Sequence, residues 1–201
     1  FTSLGVDCVQ GDARILSPWE VEVNGATISA RNIIIASGAR PRVPDIPGLQ
    51  ALDYLTSDTV WDIREAPTHL LVLGAGPIGC ELAQAFARLG TRVTLVTHAA
   101  RILPREDAEV SAAVAATFVS HGMTLHTGYE PLEFRLEADG QKATFNTADG
   151  QRELDFDRVL VAVGRHANVE AMGLEELEIP LTATGTVAVD EHLRTRVPTI
   201  F

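Results

Sequence analysis

Only two cysteines, Cys8 and Cys80, occur in the 201 residues. They are too few and too far apart for a disulfide framework, a CxxC redox centre or a cysteine-based metal site. Both read as buried structural thiols, Cys8 in a strand and Cys80 at the start of a helix. The lack of disulfides fits a reducing compartment, the cytoplasm. Aromatics make up 5% of the chain, so small aliphatic residues must fill the core, as in a parallel sheet covered by Ala-rich helices. Basic residues are scarce: 16 Lys and Arg against 27 Asp and Glu leave a net charge of -11, which argues against nucleic acid and anionic membrane surfaces as partners. No apolar run reaches the roughly 18 residues of a membrane-spanning helix. Residues 1–20 lack the order of a signal peptide. His69, His121, His126 and His192 have neither metal spacing nor a partner motif.

Against these absences stands one glycine-rich phrase, Gly74-Ala75-Gly76-Pro77-Ile78-Gly79. It follows the apolar run Leu70-Leu71-Val72-Leu73 and opens the helix-like residues 80–89. A GxGxxG between a buried strand and a helix N-terminus is the pattern of a dinucleotide site. Gly74 allows the tight turn, Gly76 lets a pyrophosphate approach the backbone, and Gly79 lets the helix pack closely on the sheet. The free N–H groups and positive dipole end of the helix then face the phosphates. Pro77 sits near the first helical position, where a missing N–H costs little. The competing reading is an ordinary glycine-rich turn, which context and spacing disfavour.

The surrounding sequence reads as α/β. Residues 5–36 read as strands, with a hairpin at Asn24-Gly25 and a short strand at 32–36 ending at Ser37-Gly38. Pro41, Pro44, Pro47 and Gly48 make residues 39–50 a linker. A strand at 69–73, a helix at 77–89 with Ile78, Leu82, Phe86 and Leu89 on one face, a strand at 92–96, a helix at 107–121 and a strand at 123–126 follow in βαβαβ order. That order implies a parallel sheet. Residues 129–156 alternate as a three-stranded antiparallel meander, with turns at Asp139-Gly140 and Asp149-Gly150. Residues 158–163 form a buried strand ending in Gly164-Arg165, and residues 186–190 a last short strand. Ile33 to Pro41 and Val159 to Arg165 echo each other as buried strands that end in glycine.

Together these phrases resemble the FAD/NAD(P) pyridine nucleotide-disulfide oxidoreductases, in particular the mercuric reductase and dihydrolipoamide dehydrogenase branch. Ala36-Ser37-Gly38 is similar to the family's first ATG phrase, with Ser37 in place of Thr. Gly74 to Glu81 is similar to its GxGxxGxE nucleotide fingerprint, and Gly164-Arg165-His166-Ala167-Asn168 to its GRxPN phrase, with Ala167 in place of Pro. Val189 to Thr195 resembles the approach to a second FAD contact. The resemblance implies a Rossmann-like NAD(P)-binding domain with a parallel sheet and an antiparallel meander, flanked by partial FAD-domain β segments. It places the NAD(P) domain at 63–163, with a partial FAD-domain strip and linker at 1–62 and a partial FAD-domain return at 164–201. The family's FAD-binding GxGxxG, CxxxxC redox pair, Gly-Asp contact and His-Glu pair are not in these residues, so the chain reads as an internal fragment, inactive by itself. The parent is then a flavoprotein that passes hydride from NAD(P)H to FAD and on to a disulfide or metal ion. A homodimer through a missing C-terminal domain is implied as well.

The candidate cofactor-binding residues are Ser37, Gly38, Gly74, Ala75, Gly76, Pro77, Ile78, Gly79, Glu81, Thr97, His98, Arg101, Gly164 and Arg165. The resemblance gives Glu81 a place beside the nicotinamide; the alternative is a surface Glu favoured by the helix dipole. Thr97 ends the second strand, where an NAD-binding chain carries a carboxylate for the ribose. With that acid absent, and His98 and Arg101 following, NADPH is favoured over NADH. Gly38 and Gly164 admit a cofactor or simply end strands, and Arg165 contacts a cofactor or solvent. Two other readings remain. A free-standing NAD(P)-binding or sensing module needs neither glycine-ended FAD-side phrase, and a one-cofactor dehydrogenase lacks a recognisable acid–base set.

Overall fold

The computed structural model describes residues 1–138 and 140–201; Asp139 of the expected Asp139-Gly140 turn lies outside the described residues. In chain order the elements are β1 (Ala13–Ser17), β2 (Glu20–Val23), β3 (Ala26–Ser29), β4 (Ala39–Pro41), β5 (His69–Leu73), α1 (Pro77–Arg88), β6 (Arg92–Thr97), α2 (Ala108–Ser120), β7 (Thr124–Thr127), β8 (Glu130–Glu137), β9 (Gly140–Thr147), β10 (Gly150–Phe156), β11 (Arg158–Val161) and β12 (Arg165–Ala167). The chain divides into two compact units, residues 41–165 and residues 1–40 with 166–201.

The larger unit is built on a four-stranded parallel sheet in the order β11-β5-β6-β7. Every residue of β5 is buried because both faces of this sheet are covered. Alternation along the strands sends Leu70, Val72, Val93 and Leu95 to a core with Ala83, Phe86 and Phe118 of the two helices. Leu71, Leu73, Val159 and Val161 go to the other core, against Phe134 and Phe145 of the antiparallel β10-β9-β8 meander. One sheet face therefore carries helices and the other the meander. Ile46, Leu49 and Leu52 join the meander side, and Leu55 bridges to Leu160.

Both helices close with the same device. Gly90 and Gly122 take left-handed φ values of 95° and 78°. The next amides, of Thr91 and Met123, reach back to the carbonyls of Phe86 and Phe118, both at 3.1 Å. The stripe that α1 buries differs from the expected one. Gly79, Cys80, Ala83 and Phe86 face the sheet, whereas Leu89 is 75% exposed just beyond the last turn. Small residues at Gly79 and Ala83 bring the helix axis close, and the large apolar positions flank that contact.

The smaller unit holds the antiparallel β1-β2-β3 sheet over a core of Ile15, Ile33, Leu174, Ile179 and Ile200. Asn24 and Gly25, at φ 54° and 78°, form the expected tight hairpin turn between β2 and β3. Four expectations fail here. Residues 6–10 form no strand, because no described segment pairs with them, and Cys8 is exposed rather than buried. Residues 32–36 make only one bridge, Ile33 to Ile200, because their ladder extends over residues 199–201 alone. Residues 186–190 make only the Leu181–Val187 bridge; the Thr182 hydroxyl accepts the amides of Thr184 and Thr186, both at 3.3 Å, and draws the segment into a turn. Cys80 is buried as expected, and burial pushes its thiol up to about 11. No helix among the described residues is long and apolar enough to cross a membrane.

His69, 9% exposed at the start of β5, ties that strand to β6. The Arg92 guanidinium donates to its Nδ1 at 2.7 Å, so Nε2–H donates to the Thr94 hydroxyl at 2.8 Å. Burial first, then the Arg92 charge, holds the imidazole below its ordinary range, against the opposite pull of Asp157 and Asp155. The neutral ring's contribution is therefore complete above the unfolded pKa of about 6.5 and is lost as pH falls through the lower folded value. Denaturant unfolding at about pH 8 and about pH 5 should show a steeper acid loss for wild type than for His69→Gln; parallel losses would contradict this assignment.

Candidate functional site

Strand β5 delivers the chain to Gly74 at the carboxyl edge of the parallel sheet, where dinucleotide ligands of open α/β sheets bind. Gly74 turns with φ 106°, and its amide donates to the Val96 carbonyl of β6 at 2.8 Å. A Cβ on Gly74 would press on the Ala162 carbonyl at 2.5 Å, and one on Gly79 would overlap the Gly74 carbonyl. Gly76 differs: a Cβ there would meet nothing within 4 Å. Gly74 thus serves both the turn and close packing, Gly79 serves packing, and Gly76 leaves the backbone open.

Helix α1 starts with Pro77 at its first turn and Gly76 as the capping residue, with no side-chain cap. Its first-turn N–H groups consequently lack a side-chain acceptor, which suits an anion. Ala75 is buried, and its carbonyl accepts the Leu103 amide at 2.7 Å and the Cys80 thiol at 3.5 Å. Ile78 is half-buried beside it. Glu81 is exposed and lines, with Pro77, Gln84, Leu103, Glu106 and Val114, a largely apolar cleft of about 520 Å3 between α1 and α2.

The turn after β6 lies against this loop. Thr97 is buried; its hydroxyl accepts the Ala99 amide at 3.2 Å and its carbonyl the Tyr129 amide at 3.0 Å. His98 follows on the surface. The Arg101 guanidinium donates to the carbonyls of Pro104 at 3.0 Å and Glu106 at 2.8 Å. Gly164, at φ 127°, is open to solvent on its Cβ side, and its carbonyl accepts the Arg42 amide at 2.9 Å; Arg165 beside it is exposed. The structure therefore brings Gly74 to Gly79, Glu81 and the 97–101 turn together in the larger unit.

Ser37 and Gly38 belong to the smaller unit and form a second cluster. Gly38 has φ 71° and open space on its Cβ side. Ser37 Oγ donates to the Asn168 carbonyl at 2.6 Å, Asn168 Nδ2 to the Ser37 carbonyl at 3.0 Å, and the Asn168 amide to the Gly38 carbonyl at 3.0 Å. Arg40 donates to Asn168 Oδ1 at 3.0 Å and grips Glu170 with both Nη atoms, which pulls the Glu170 carboxyl down to about 2. Asn168 ends the Gly164–Asn168 phrase in the sequence, and its part as the brace of this loop has no local sequence signal. Ala162 and Leu103, which shape the fingerprint loop, gave no signal in the sequence. Among the described residues no group of three His, Cys, Asp or Glu could hold a metal ion.

Residues 2–201 match the family described as pyridine nucleotide-disulphide oxidoreductase. The chain is 40% identical over 176 residues to a mercuric reductase of Streptomyces lividans, covering 88% of this chain and 37% of that protein. It superposes on an HOCl-induced flavoprotein disulfide reductase from Escherichia coli with TM-score 0.83 and 28% identity, covering 97% of this chain and 44% of the other. A water-forming NADH oxidase from Lactobacillus brevis, solved bound to NADH, superposes with TM-score 0.76 and 26% identity over 94% of this chain and 44% of its own. The chain spans less than half the length of each of these proteins.

The two kinds of glycine separate experimentally. Gly79→Ala forces a Cβ onto the Gly74 carbonyl and should lower the unfolding free energy by about 1–3 kcal/mol. Gly76→Ala enters open space at φ -75° and should change it by less than about 1 kcal/mol. Denaturant titration of both variants checks this; equal losses would contradict it.

Proposed function

We propose that this chain, which belongs to the pyridine nucleotide-disulphide oxidoreductase family, is the NAD(P)H-binding part of a flavoprotein that passes hydride from NAD(P)H to FAD and on to a disulfide or metal-ion acceptor. The observation that carries this reading is the β5–α1 loop, in which Gly74 and Gly79 serve packing while Gly76 alone leaves the backbone open beside an uncapped helix start. Backbone donors at a helix N-terminus with room in front of them are what a pyrophosphate requires. The residues present therefore fit a dinucleotide.

On this reading residues 74–79 bind the pyrophosphate, and Thr97 and His98 stand at the adenosine ribose with Arg101 in the same turn. Glu81 serves the nicotinamide end. NADPH is preferred modestly, because β6 ends in Thr97, which presents no carboxylate to repel a 2′-phosphate. Ser37, Gly38, Gly164 and Arg165 are assigned to the FAD side. The NAD(P)H-binding domain is residues 63–163, residues 1–62 are a partial FAD-domain strip with its linker, and residues 164–201 are a partial FAD-domain return. The nicotinamide and flavin supply the hydride chemistry; this chain's residues bind and orient them. The acceptor is left as a class, since the similar proteins are variously a mercuric reductase, a disulfide reductase and an oxidase. The whole protein is proposed to be a cytoplasmic homodimer.

Equilibrium titration of protein carrying this chain with NADPH and NADH tests the reading. Both should bind, NADPH severalfold tighter, and Gly76→Val should weaken both by at least about tenfold, equivalent to about 1.4 kcal/mol. Failure of wild type to bind either nucleotide would overturn the proposal.

A further inference from the structure

Within the proposed nucleotide site, one carbonyl is already occupied. Ala75, between the first two glycines of the fingerprint, accepts the Leu103 amide at 2.7 Å. A trans peptide points its C=O and N–H in opposite directions, and there is no cis peptide bond among the described residues. The bond from Leu103 therefore fixes which way the Gly76 N–H faces. No acceptor among the described residues takes that N–H, and of the three fingerprint glycines Gly76 is the one whose Cβ position is open.

Leu103 reaches Ala75 from an unfavourable backbone. Its φ is 45°, in the left-handed region that a branched apolar residue rarely adopts. Three contacts hold it there. The Arg101 guanidinium gathers the Pro104 and Glu106 carbonyls, the Glu106 amide donates to the Leu103 carbonyl at 3.0 Å, and the buried Ser111 hydroxyl donates to the Ile102 carbonyl at 2.6 Å. Arg101 lies at the centre of this loop, with its charge turned onto backbone carbonyls.

We infer that residues 101–106 form a clip that locks the Ala75–Gly76 peptide in the pyrophosphate-accepting orientation, and that Arg101 is the positioning residue of that clip and makes no contact with a 2′-phosphate. His98 is then the side chain presented where NADPH and NADH differ. The inference rests on the dinucleotide reading of the loop.

The test uses protein carrying this chain, titrated calorimetrically with NADPH and NADH. Arg101→Ala should weaken both nucleotides by the same factor, about tenfold, leaving their ratio unchanged. Adding Leu103→Gly, which adopts φ 45° without steric cost and keeps the N–H, should recover most of that loss. The double variant also guards against a merely misfolded single variant, because a glycine added to a damaged fold would not restore binding. A selective loss of NADPH in Arg101→Ala would overturn the inference and make Arg101 a phosphate ligand. Unchanged binding of both nucleotides, or no recovery with Leu103→Gly, would overturn it as well. Wild type that binds neither nucleotide would instead overturn the dinucleotide reading, and the clip with it.

Discussion

Three backbone segments meet at the end of β5 with no room for a side chain between them. Gly74 lies under the Ala162 carbonyl, Gly79 lies on the Gly74 carbonyl, and the Gly74 amide is tied to Val96. This contact sets how closely α1 approaches the sheet. It also sets where the helix N-terminus points, because Pro77 follows Gly76 directly with no capping side chain. The uncapped first turn and the open face of Gly76 are consequences of that packing, and the proposed chemistry uses both.

The remainder of the larger unit supports the contact. A parallel sheet buried on both faces presents its strand ends at one edge, so the turns after β5, β6 and β11 converge there. The helices fill one face and the meander the other, which spares this chain the second helical layer of a doubly wound sheet. On the smaller unit, the Asn168 bonds to Ser37 and Gly38 and the Arg40–Glu170 pair hold a second glycine-ended loop in shape. The ion pair is exposed on both sides, so its value lies in fixing Arg40 against Asn168 more than in stability.

Much of the larger unit was legible because it is built from strong local signals. Apolar runs with glycine stops placed β5, β6, α1 and α2 within a residue or two, and alternation placed the meander. The face of α1 was misjudged because periodicity weighs large apolar residues, while close packing here is made by Gly79 and Ala83. Residues 6–10 alternate like a strand and residues 32–36 and 186–190 read as short strands, yet a strand exists only with a partner, and that pairing is not a local property. The glycines of the candidate site were readable from spacing. The bond from Leu103 to Ala75 was not, because it depends on a left-handed leucine that no propensity would suggest.

The most direct measurement is a map of backbone amide shifts in isotope-labelled protein carrying this chain as ADP-ribose is added. The account predicts the largest changes at Gly76, Ile78 and Gly79, with smaller ones at Thr97 and His98 and little change on the meander. Saturable binding with its largest changes elsewhere, for example along the α1–α2 cleft at Gln84 and Val114, would contradict it.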